Sequence, residues 1–432
     1  MNIQLTHQQL AAVDMVKSNR ISILTGGPGT GKTTATLDII NWAKSENLTI
    51  SQAAPTGKAA KRMMQATGEY ASTIHSMLGC IFENGHFSFF HNKKNPLDTD
   101  LIILDEVSMI TSDLMARVMD AVNIKRTRVL LVGDQDQLPS VGAGAVLRDL
   151  LASRVIPHTE LDIIHRNAGT IVSACHKIKQ GHGYIPHRKL DLNAEKPINL
   201  IHVECFTPEQ TLQGVEMLVC NIIPEKYEYD PINDIQVISP VNSKGVLSCD
   251  SINKKLRDKL NPSFEKNIFN DDQDGSNQVQ FLPGDKVINT KNSKAETVDG
   301  EPTAIVNGDI GIVQKTTSKL LTVNFSDPDR EVEILKREHN LLHAYCITCH
   351  RFQGSEAPVI IIPVCRQFNY FLSNSWIYTA ISRAKTICVT IGTFGTVEQA
   401  IRNRIPNNRT TRLKERLIKA DRLEMEKEFA EI

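Results

Sequence analysis

A glycine-rich segment near the N-terminus carries the residue types that bind phosphate. Residues 26–34 read GGPGTGKTT, follow the apolar run ISILT and precede a stretch with helical periodicity. Glycines allow backbone N–H groups to close round a phosphate, and the N-terminus of the next helix adds partial positive charge. In this pattern Lys32 would reach the β- and γ-phosphates of ATP, and Thr33 would ligate Mg²⁺. The predicted phosphate-binding residues are Gly26, Gly27, Pro28, Gly29, Thr30, Gly31, Lys32, Thr33 and Thr34.

Two further strand ends supply carboxylates and an amide. The run LIILDEV places Asp105 at the end of an apolar strand, where a second Mg²⁺ ligand belongs. Glu106, the next residue, is positioned to polarise an attacking water. The run LLVGDQDQLP places Gln137 after another strand, where its amide would sense the γ-phosphate. In isolation each is a polar strand end, but together with the glycine-rich segment they indicate ATP hydrolysis.

Residues 346–350 read CITCH, the C-x-x-C-H pattern of covalent haem attachment. Haem attached in this way needs an exported chain, and the N-terminus MNIQLTHQQLAAVDMV has no secretory pattern. A zinc site takes four ligands, and the sequence has no second C-x-x-C. Nine cysteines, an odd number, are typical of reduced thiols in a cytoplasm. The sequence therefore favours neither a haem site nor a zinc site at residues 346–350. We expect a cytoplasmic protein that is not secreted.

Composition excludes few other functions. Lys plus Arg and Asp plus Glu both number 49, so net charge neither indicates nor excludes a nucleic-acid partner. No apolar run approaches the roughly 20 residues of a membrane span. At 432 residues the chain exceeds one hydrophobic core, which predicts two or three domains.

Short β-branched runs alternate with stretches of helical periodicity in both halves of the chain. This alternation predicts an α/β fold, with parallel sheets covered on both faces in two tandem domains that join near 156–161. The runs are ISILT, LIILDE, RVLLVGD, IQVISP, PVIIIPV and TICVTIG. Two stretches interrupt the alternation. CIFENGHFSFFHN predicts a β-hairpin round Asn84-Gly85, and several short strands after residue 281 predict a small antiparallel β-barrel.

In their order along the chain, the segments LTHQQ, GGPGTGKTT, AAPTGKAAKRM, ASTIHSML, IILDEVSM, LDIIHRN, AYCITCHRFQGSE and YTAISRAK resemble the motifs of superfamily 1 helicases. The resemblance is closest to the RecD-like branch and extends through nearly the whole chain. It implies two RecA-like P-loop motor domains, a hairpin (pin) insertion in the first and an SH3-like β-barrel in the second. The implied ranges are 1–155 with the hairpin at 80–100, 156–280 with 338–405, the barrel at 281–337, and a basic C-terminal helix or tail at 406–432.

The resemblance also implies roles for individual residues. Gln9 would read the adenine, Arg166 and Arg383 would reach the γ-phosphate, and Gly354 and Glu356 would face the nucleotide. The implied DNA contacts are Pro55, Thr56, Lys58, Thr73, His75, Thr348, His350, Phe87 and Phe89. For the two hairpin phenylalanines, wedging a duplex and packing the hairpin remain equal alternatives. For Thr56 and His75 the alternative is a helix cap or a hydrogen-bonded residue at the edge of the core.

The implied activity is an ATP-dependent DNA helicase that uses Mg²⁺ and moves 5′→3′ on single-stranded DNA. Its partners would be single-stranded DNA and junctions of single- and double-stranded DNA, and it would act as a monomer. A P-loop NTPase that does not unwind, such as a kinase or a signalling switch, explains the first half of the chain. It leaves the motifs of the second half unexplained.

Overall fold

The computed structural model describes residues 5–83, 86–163, 169–184, 200–261, 281–326, 329–404, 409 and 411–430. The chain divides into two compact units. The first unit contains residues 1–168 and 405–432, and the second contains residues 169–404.

The first unit is built on a six-stranded parallel sheet in the order β3-β2-β6-β7-β1-β8. Its strands are β1 (Ile21–Gly26), β2 (Ile50–Ala54), β3 (Ala71–Thr73), β6 (Leu101–Leu104), β7 (Arg128–Gly133) and β8 (His158–Leu161). The strands β4 (Cys80–Glu83) and β5 (His86–Phe89) pair separately as an antiparallel hairpin. The predicted strands that begin at Ile21, Leu101 and Arg128 are therefore confirmed.

Helices cover both faces of this sheet because its central strands carry apolar residues on both faces. In β6, Ile102 and Leu104 enter one core, whereas Leu101 and Ile103 enter the core on the other face. The helices are α1 (His7–Ser18), α2 (Lys32–Ser45), α3 (Gly57–Thr67), α4 (Ile74–Met77), α5 (Ser112–Asp120) and α6 (Val146–Ser153). The first core receives residues of α5 and α6, and the second receives residues of α1 and α2.

The second unit repeats the plan with a five-stranded parallel sheet in the order β18-β10-β19-β20-β9. The strands are β9 (Leu200–Glu204), β10 (Ile235–Ser239), β18 (Cys346–Thr348), β19 (Ala357–Val364) and β20 (Ala384–Gly392). The helices are α7 (Thr170–Lys179), α8 (Pro208–Met217), α9 (Ile223–Tyr227), α10 (Cys249–Leu260), α11 (Asn374–Ser382) and α12 (Phe394–Arg402). Two parallel α/β units in tandem match the predicted fold class.

An antiparallel insertion interrupts the second unit between β10 and β18. Five strands pair in the order β16-β15-β14-β11-β17 and enclose a core of their own. They are β11 (Lys286–Asn289), β14 (Ile310–Thr316), β15 (Leu320–Ser326), β16 (Asp329–Leu335) and β17 (Leu341–His343), and β12 (Ser293–Glu296) pairs with β13 (Pro302–Ile305). The insertion therefore extends to His343 and not to 337, because β17 completes the sheet by pairing with β11.

The boundary between the two units also differs from the prediction. The stretch 156–161, expected to join the domains, contains β8, which pairs with β1 at the edge of the first sheet. The C-terminal helix, Leu413–Ala430, also belongs to the first unit, where Leu413 and Leu417 pack against its core. The sequence predicts this basic helix or tail as a segment separate from both motor domains. None of the helices in the described part of the chain is long and apolar enough to span a membrane.

A buried ionic cluster fixes the insertion to the second unit. The carboxylate of Asp285 accepts hydrogen bonds from Arg257 Nε at 2.8 Å and Nη2 at 2.7 Å, both on α10. Asn261 Nδ2 and the backbone N–H of Leu282 each donate at 2.8 Å, and His343 Nε2 lies at 3.3 Å. Burial raises the pKa of Asp285, but the hydrogen bonds outweigh burial and lower that pKa to about 2.

Replacing Asp285 with Asn leaves the Arg257 guanidinium without its counter-charge in a buried site. We expect the free energy of urea unfolding to fall by about 3 kcal/mol at pH 7, with the exposed Asp299→Asn in the same insertion as control. The stabilisation from ionised Asp285 is present above its unfolded pKa of 3.8 and is lost as pH falls through about 2. The difference between wild type and Asp285→Asn should therefore be about 1 kcal/mol smaller at pH 3. A difference that is independent of pH would contradict this assignment.

Candidate nucleotide and DNA site

The phosphate-binding loop has the predicted strand–turn–helix form. It leaves β1 at Gly26 and enters α2 at Lys32, with Gly29 and Gly31 at φ of 73° and 87°. These positive φ angles turn the backbone N–H groups at the start of α2 toward the inside of the loop, and glycine adopts them without strain. The Lys32 ammonium donates to the carbonyl oxygens of Gly26 at 2.7 Å and Gly27 at 3.0 Å. The loop thus holds its cation at the place where phosphate oxygens would compete for it.

Asp105 follows β6 and is half-buried, close enough to the loop for the charge of Lys32 to act on it. Burial and then the charge of Glu106 raise the pKa of Asp105 to about 6, while the backbone N–H of Glu106 and the cations Lys32 and Arg62 lower it. A carboxylate in this setting gains from a bound divalent cation. Together with the Thr33 hydroxyl it offers the hard oxygen donors that Mg²⁺ prefers, so the residues fit the predicted metal.

Glu106 has a strained backbone. Its φ of 52° and ψ of 42° lie in the left-handed region, which non-glycine residues enter at a cost of about 1–2 kcal/mol. Its N–H donates to Asp105 Oδ1 at 2.8 Å. Strain of this kind at a carboxylate beside a phosphate loop is typical of a functional site.

The third strand end, after β7, orients an amide. Asp134 is 2% exposed, and its Oδ2 accepts from Gln137 Nε2 at 3.4 Å. Its Oδ1 accepts from the backbone N–H of Asp136 at 3.0 Å. Asp134 therefore fixes the turn that presents Gln137.

These three strand ends lie at one edge of the sheet. The order β6-β7-β1 makes their strands direct neighbours, and all three pair in parallel. The carboxyl ends of parallel strands lie at the same edge of the sheet, and α/β proteins bind their ligands at this edge. The structure therefore brings Lys32, Asp105, Glu106 and Gln137 together, as the sequence predicts.

Gln9 lies next to the phosphate loop. Its Nε2 donates to the carbonyl of Gly31 at 3.3 Å, and its Oε1 accepts from the N–H of Thr6 at 2.9 Å. Thr6 in turn caps α1, and its side chain accepts from the N–H of Gln9. Gln9 thus connects the start of α1 to the loop, and its contact with adenine remains a prediction.

In the second unit, the residues predicted to face the nucleotide lie just before β19 and at the end of α11. Arg383 is 3% exposed, and its Nη1 lies 3.5 Å from the carbonyl oxygen of Ser355. Gly354, next to Ser355, has a φ of 72°, and Glu356 follows at the start of β19. Arg383 is thus positioned together with the residues predicted to contact the nucleotide. Arg166, the other predicted arginine, lies outside the described residues.

The predicted DNA contacts of the first unit follow two neighbouring strands. Ala54 at the end of β2 is paired with Thr73 at the end of β3, so the segments 55–58 and 73–75 start side by side. Thr56 caps α3 by accepting from the N–H of Ala59, and Thr73 caps α4 by accepting from the N–H of Ser76. Helix capping, the alternative role, is therefore observed. A capping oxygen acts as acceptor, which leaves its O–H hydrogen to be donated to a phosphate.

The remaining neighbours of these threonines differ in exposure. Pro55 and Lys58 are half-buried beside Thr56, and His75 is exposed beside Thr73. In the hairpin, Phe89 packs on the core of the first unit, and the guanidinium carbon of Arg117 lies 5.7 Å from its ring centroid. Phe89 thus packs the hairpin, and the structure does not describe the side chain of Phe87. The DNA contacts of both phenylalanines remain predictions.

The C-x-x-C-H segment ends an edge strand of the second sheet. Cys346 lies on β18, is buried and has its thiol against that of Cys249. Cys349 is fully buried, and burial raises the pKa of its thiol to about 12. Thr348 pairs with Ser239 and is 7% exposed, and His350 is exposed. Among the described residues, no group of three His, Cys, Asp or Glu side chains could hold a metal ion.

Two arginines of the first unit were not among the site residues predicted from the sequence. Arg62 lies on α3, close enough for its charge to lower the pKa of Asp105. The segment GKAAKRM shows the signal, since Arg62 follows Lys58 by four residues, one helical turn. Arg409 binds the loop after Gln137 from the far end of the chain, and no local pattern indicates that contact.

Comparisons with known proteins match both units. Residues 4–197 match the AAA domain family, and residues 343–391 match the UvrD-like helicase C-terminal domain family. The chain is 35% identical over 387 residues to the ATP-dependent RecD2 DNA helicase of Deinococcus radiodurans. That match covers 88% of this chain and 48% of the relative, so the chain spans about half of that relative's length. The RecBCD enzyme subunit RecD of Mycolicibacterium smegmatis is 29% identical, with 95% of this chain and 74% of the relative covered.

Solved structures confirm the fold. The Pif1 helicase from Bacteroides, in complex with ADP-AlF3 and single-stranded DNA, aligns with a TM-score of 0.54 at 18% identity. The alignment covers 98% of this chain and 97% of that one. The Pif1 helicase from Candida albicans also has a TM-score of 0.54, at 16% identity, with coverages of 92% and 96%. The α/β fold with its parallel-sheet, RecA-like core is thus shared with solved helicase structures.

The strain at Glu106 predicts opposite effects on stability and on activity. Glu106→Gly relieves the left-handed backbone and should raise the free energy of unfolding by about 0.5–1 kcal/mol, while abolishing ATP hydrolysis. Glu106→Gln, the matched control, removes the same charge from beside Asp105 but keeps the strain. It should also lose hydrolysis, and it should be less stable than Glu106→Gly by about 0.5–1 kcal/mol. Urea denaturation and phosphate release measure the two effects. A Glu106→Gly protein less stable than wild type would contradict the strain argument.

Proposed function

We propose that this chain, which belongs to the RecD-like branch of the superfamily 1 helicases, is an ATP-driven motor that moves along single-stranded DNA and unwinds duplex DNA. One observation carries the proposal. Lys32, Asp105 and Gln137 lie at the ends of three adjacent parallel strands, which is the arrangement that ATP hydrolysis requires.

Within the first unit, each residue has a separate task in hydrolysis. When ATP binds, the Lys32 ammonium gives up its hydrogen bonds to the carbonyls of Gly26 and Gly27 and binds the β- and γ-phosphate oxygens instead. Glu106 takes the proton of the attacking water. The Gln137 amide, held by Asp134, forms a hydrogen bond with the γ-phosphate. Thr33 and Asp105 would hold Mg²⁺, which when bound neutralises charge on the β- and γ-phosphates.

The remaining nucleotide contacts give hydrolysis its dependence on both units. Gln9 contacts the adenine from the first unit. Gly354, Glu356 and Arg383 contribute from the second unit, and Arg166 joins them there. Arginines supplied in this way neutralise the negative charge that spreads over the γ-phosphate in the transition state. Hydrolysis then requires a particular arrangement of the two units, and each ATP cycle changes it.

DNA binds through its backbone, with little reading of bases. Thr56 and Thr73 donate their hydroxyl hydrogens to phosphates, and Pro55, Lys58 and His75 complete that surface. Thr348 and His350 hold the same strand from the second unit, and the SH3-like insertion lies along it. Alternating grip by the two units moves the chain along the strand. We propose 5′→3′ movement, action as a monomer, and entry at junctions of single- and double-stranded DNA.

Stimulation of ATP hydrolysis by DNA tests this function. Wild type should hydrolyse ATP at least about tenfold faster with single-stranded oligothymidine than without it, because DNA binding favours the hydrolytic arrangement. Lys32→Ala should lose hydrolysis under both conditions. Lys44→Ala, at an exposed position on the same helix α2, is the matched control and should keep wild-type activity.

An ATPase activity that is indifferent to DNA would instead support a P-loop NTPase that does not move on nucleic acid. Hydrolysis that survives Lys32→Ala would remove the nucleotide site from this loop.

A further inference from the structure

Arg409 donates hydrogen bonds to three backbone carbonyls of the loop that follows Gln137. Its Nη1 lies 2.6 Å from the carbonyl oxygen of Gly142, 2.8 Å from that of Gly144 and 3.0 Å from Ser140 Oγ. Its Nη2 donates to the carbonyl of Ser140 at 2.6 Å. One half-buried guanidinium thus supplies donors to three carbonyls of this turn, while the Ser140 hydroxyl donates to Gly142 at 3.2 Å and the N–H of Ser112 donates to Ala143 at 3.0 Å.

Two neighbouring contacts fix Arg409 itself. The Arg148 guanidinium on α6 donates through Nη2 to the carbonyl of Arg409 at 3.4 Å and to Asp149 Oδ1 at 2.9 Å. The Thr411 hydroxyl donates to the other oxygen of the Asp149 carboxylate, which is 5% exposed. The C-terminal segment is therefore attached to α6 on either side of residue 410.

The loop needs a cation where Arg409 lies. Its carbonyls converge on one point, and their dipoles repel each other unless a donor lies between them. The loop also packs tightly on the start of α5. A Cβ on Gly144 would lie 2.0 Å from Ser112 Oγ, and a Cβ on Gly142 would lie 2.6 Å from Thr111 Cγ2. Loss of the guanidinium would thus release a tightly folded turn.

Gln137 is held from both directions along the chain. On its N-terminal side Asp134 accepts from its amide, and on its C-terminal side Ser140 is 2% exposed and bound by Arg409. Only Leu138 and Pro139 separate Gln137 from Ser140. Any displacement of the loop at Ser140 therefore moves the amide that orients on the γ-phosphate.

We propose that Arg409 is a positioning residue for ATP hydrolysis, which acts by holding Gln137 at the distance that the γ-phosphate requires. The inference rests on the proposed function. It assigns to the C-terminal segment an indirect part in hydrolysis, since the segment contains none of the residues proposed to contact ATP. Nucleotide affinity should depend little on Arg409, because the phosphate loop and Gln9 remain intact.

The test compares steady-state ATP hydrolysis with saturating oligothymidine in Arg409→Ala and Arg409→Lys. Arg409→Ala should lower kcat about tenfold and leave KM for ATP within about twofold of wild type. The substitution weakens stabilisation of the transition state but leaves the residues that bind ATP in place. Arg409→Lys keeps the charge but has fewer donors in a different geometry, and it should lose about threefold in kcat. Arg412→Ala, an exposed position in the same segment, should match wild type.

A double-mutant cycle separates positioning from general stability. In a Gln137→Ala background, Arg409→Ala should change kcat by less than about twofold, because the group that it positions is already gone. The same tenfold loss in both backgrounds would overturn the proposal, as would wild-type kcat in Arg409→Ala. If Arg409→Ala does not fold, the cycle is run with Arg409→Lys, and full activity of that variant would overturn the proposal. Failure of the proposed function is recognised separately, as wild-type protein without DNA-stimulated hydrolysis.

Discussion

The parallel pairing of β6, β7 and β1 is the constraint on which the candidate site depends. Their register places Leu131 of β7 between Leu104 of β6 and Ile23 of β1. A slip of one residue in β6 would exchange the two cores that its side chains fill, so apolar burial fixes the register. The same register fixes where each strand ends. The positions of Asp105 and Gln137 are thus consequences of core packing.

Two features of the site lower the stability of the fold, and packing elsewhere must offset them. Asp105 is half-buried beside another carboxylate, and Glu106 has left-handed backbone angles. A bound divalent cation would relieve the first cost, and substitution by glycine would relieve the second. By contrast, the Asp285 cluster in the second unit is saturated with hydrogen bonds, and it fixes the insertion instead of preparing for a ligand.

The sequence predicts the central strands well, because runs such as LIILDE and PVIIIPV are apolar on both faces of a covered sheet. It misses β8, whose sequence HTEL is short, polar and at an edge, and this shifts the predicted boundary between units. Motif spacing finds Lys32 and Asp105, since Asp105 directly follows β6 and Lys32 ends the glycine-rich loop that follows β1. Arg409 escapes because its partners lie 265 to 269 residues earlier, and long-range contacts leave no local periodicity.

Release of streptavidin from biotinylated single-stranded oligonucleotides tests most directly whether the site drives movement. A motor that moves 5′→3′ should displace streptavidin from a 3′-terminal biotin when ATP is present, and leave a 5′-terminal biotin occupied. Release from the 5′ end alone would contradict the direction. Hydrolysis of ATP with no release from either end would contradict the central claim, that the strand-end site couples hydrolysis to movement along DNA.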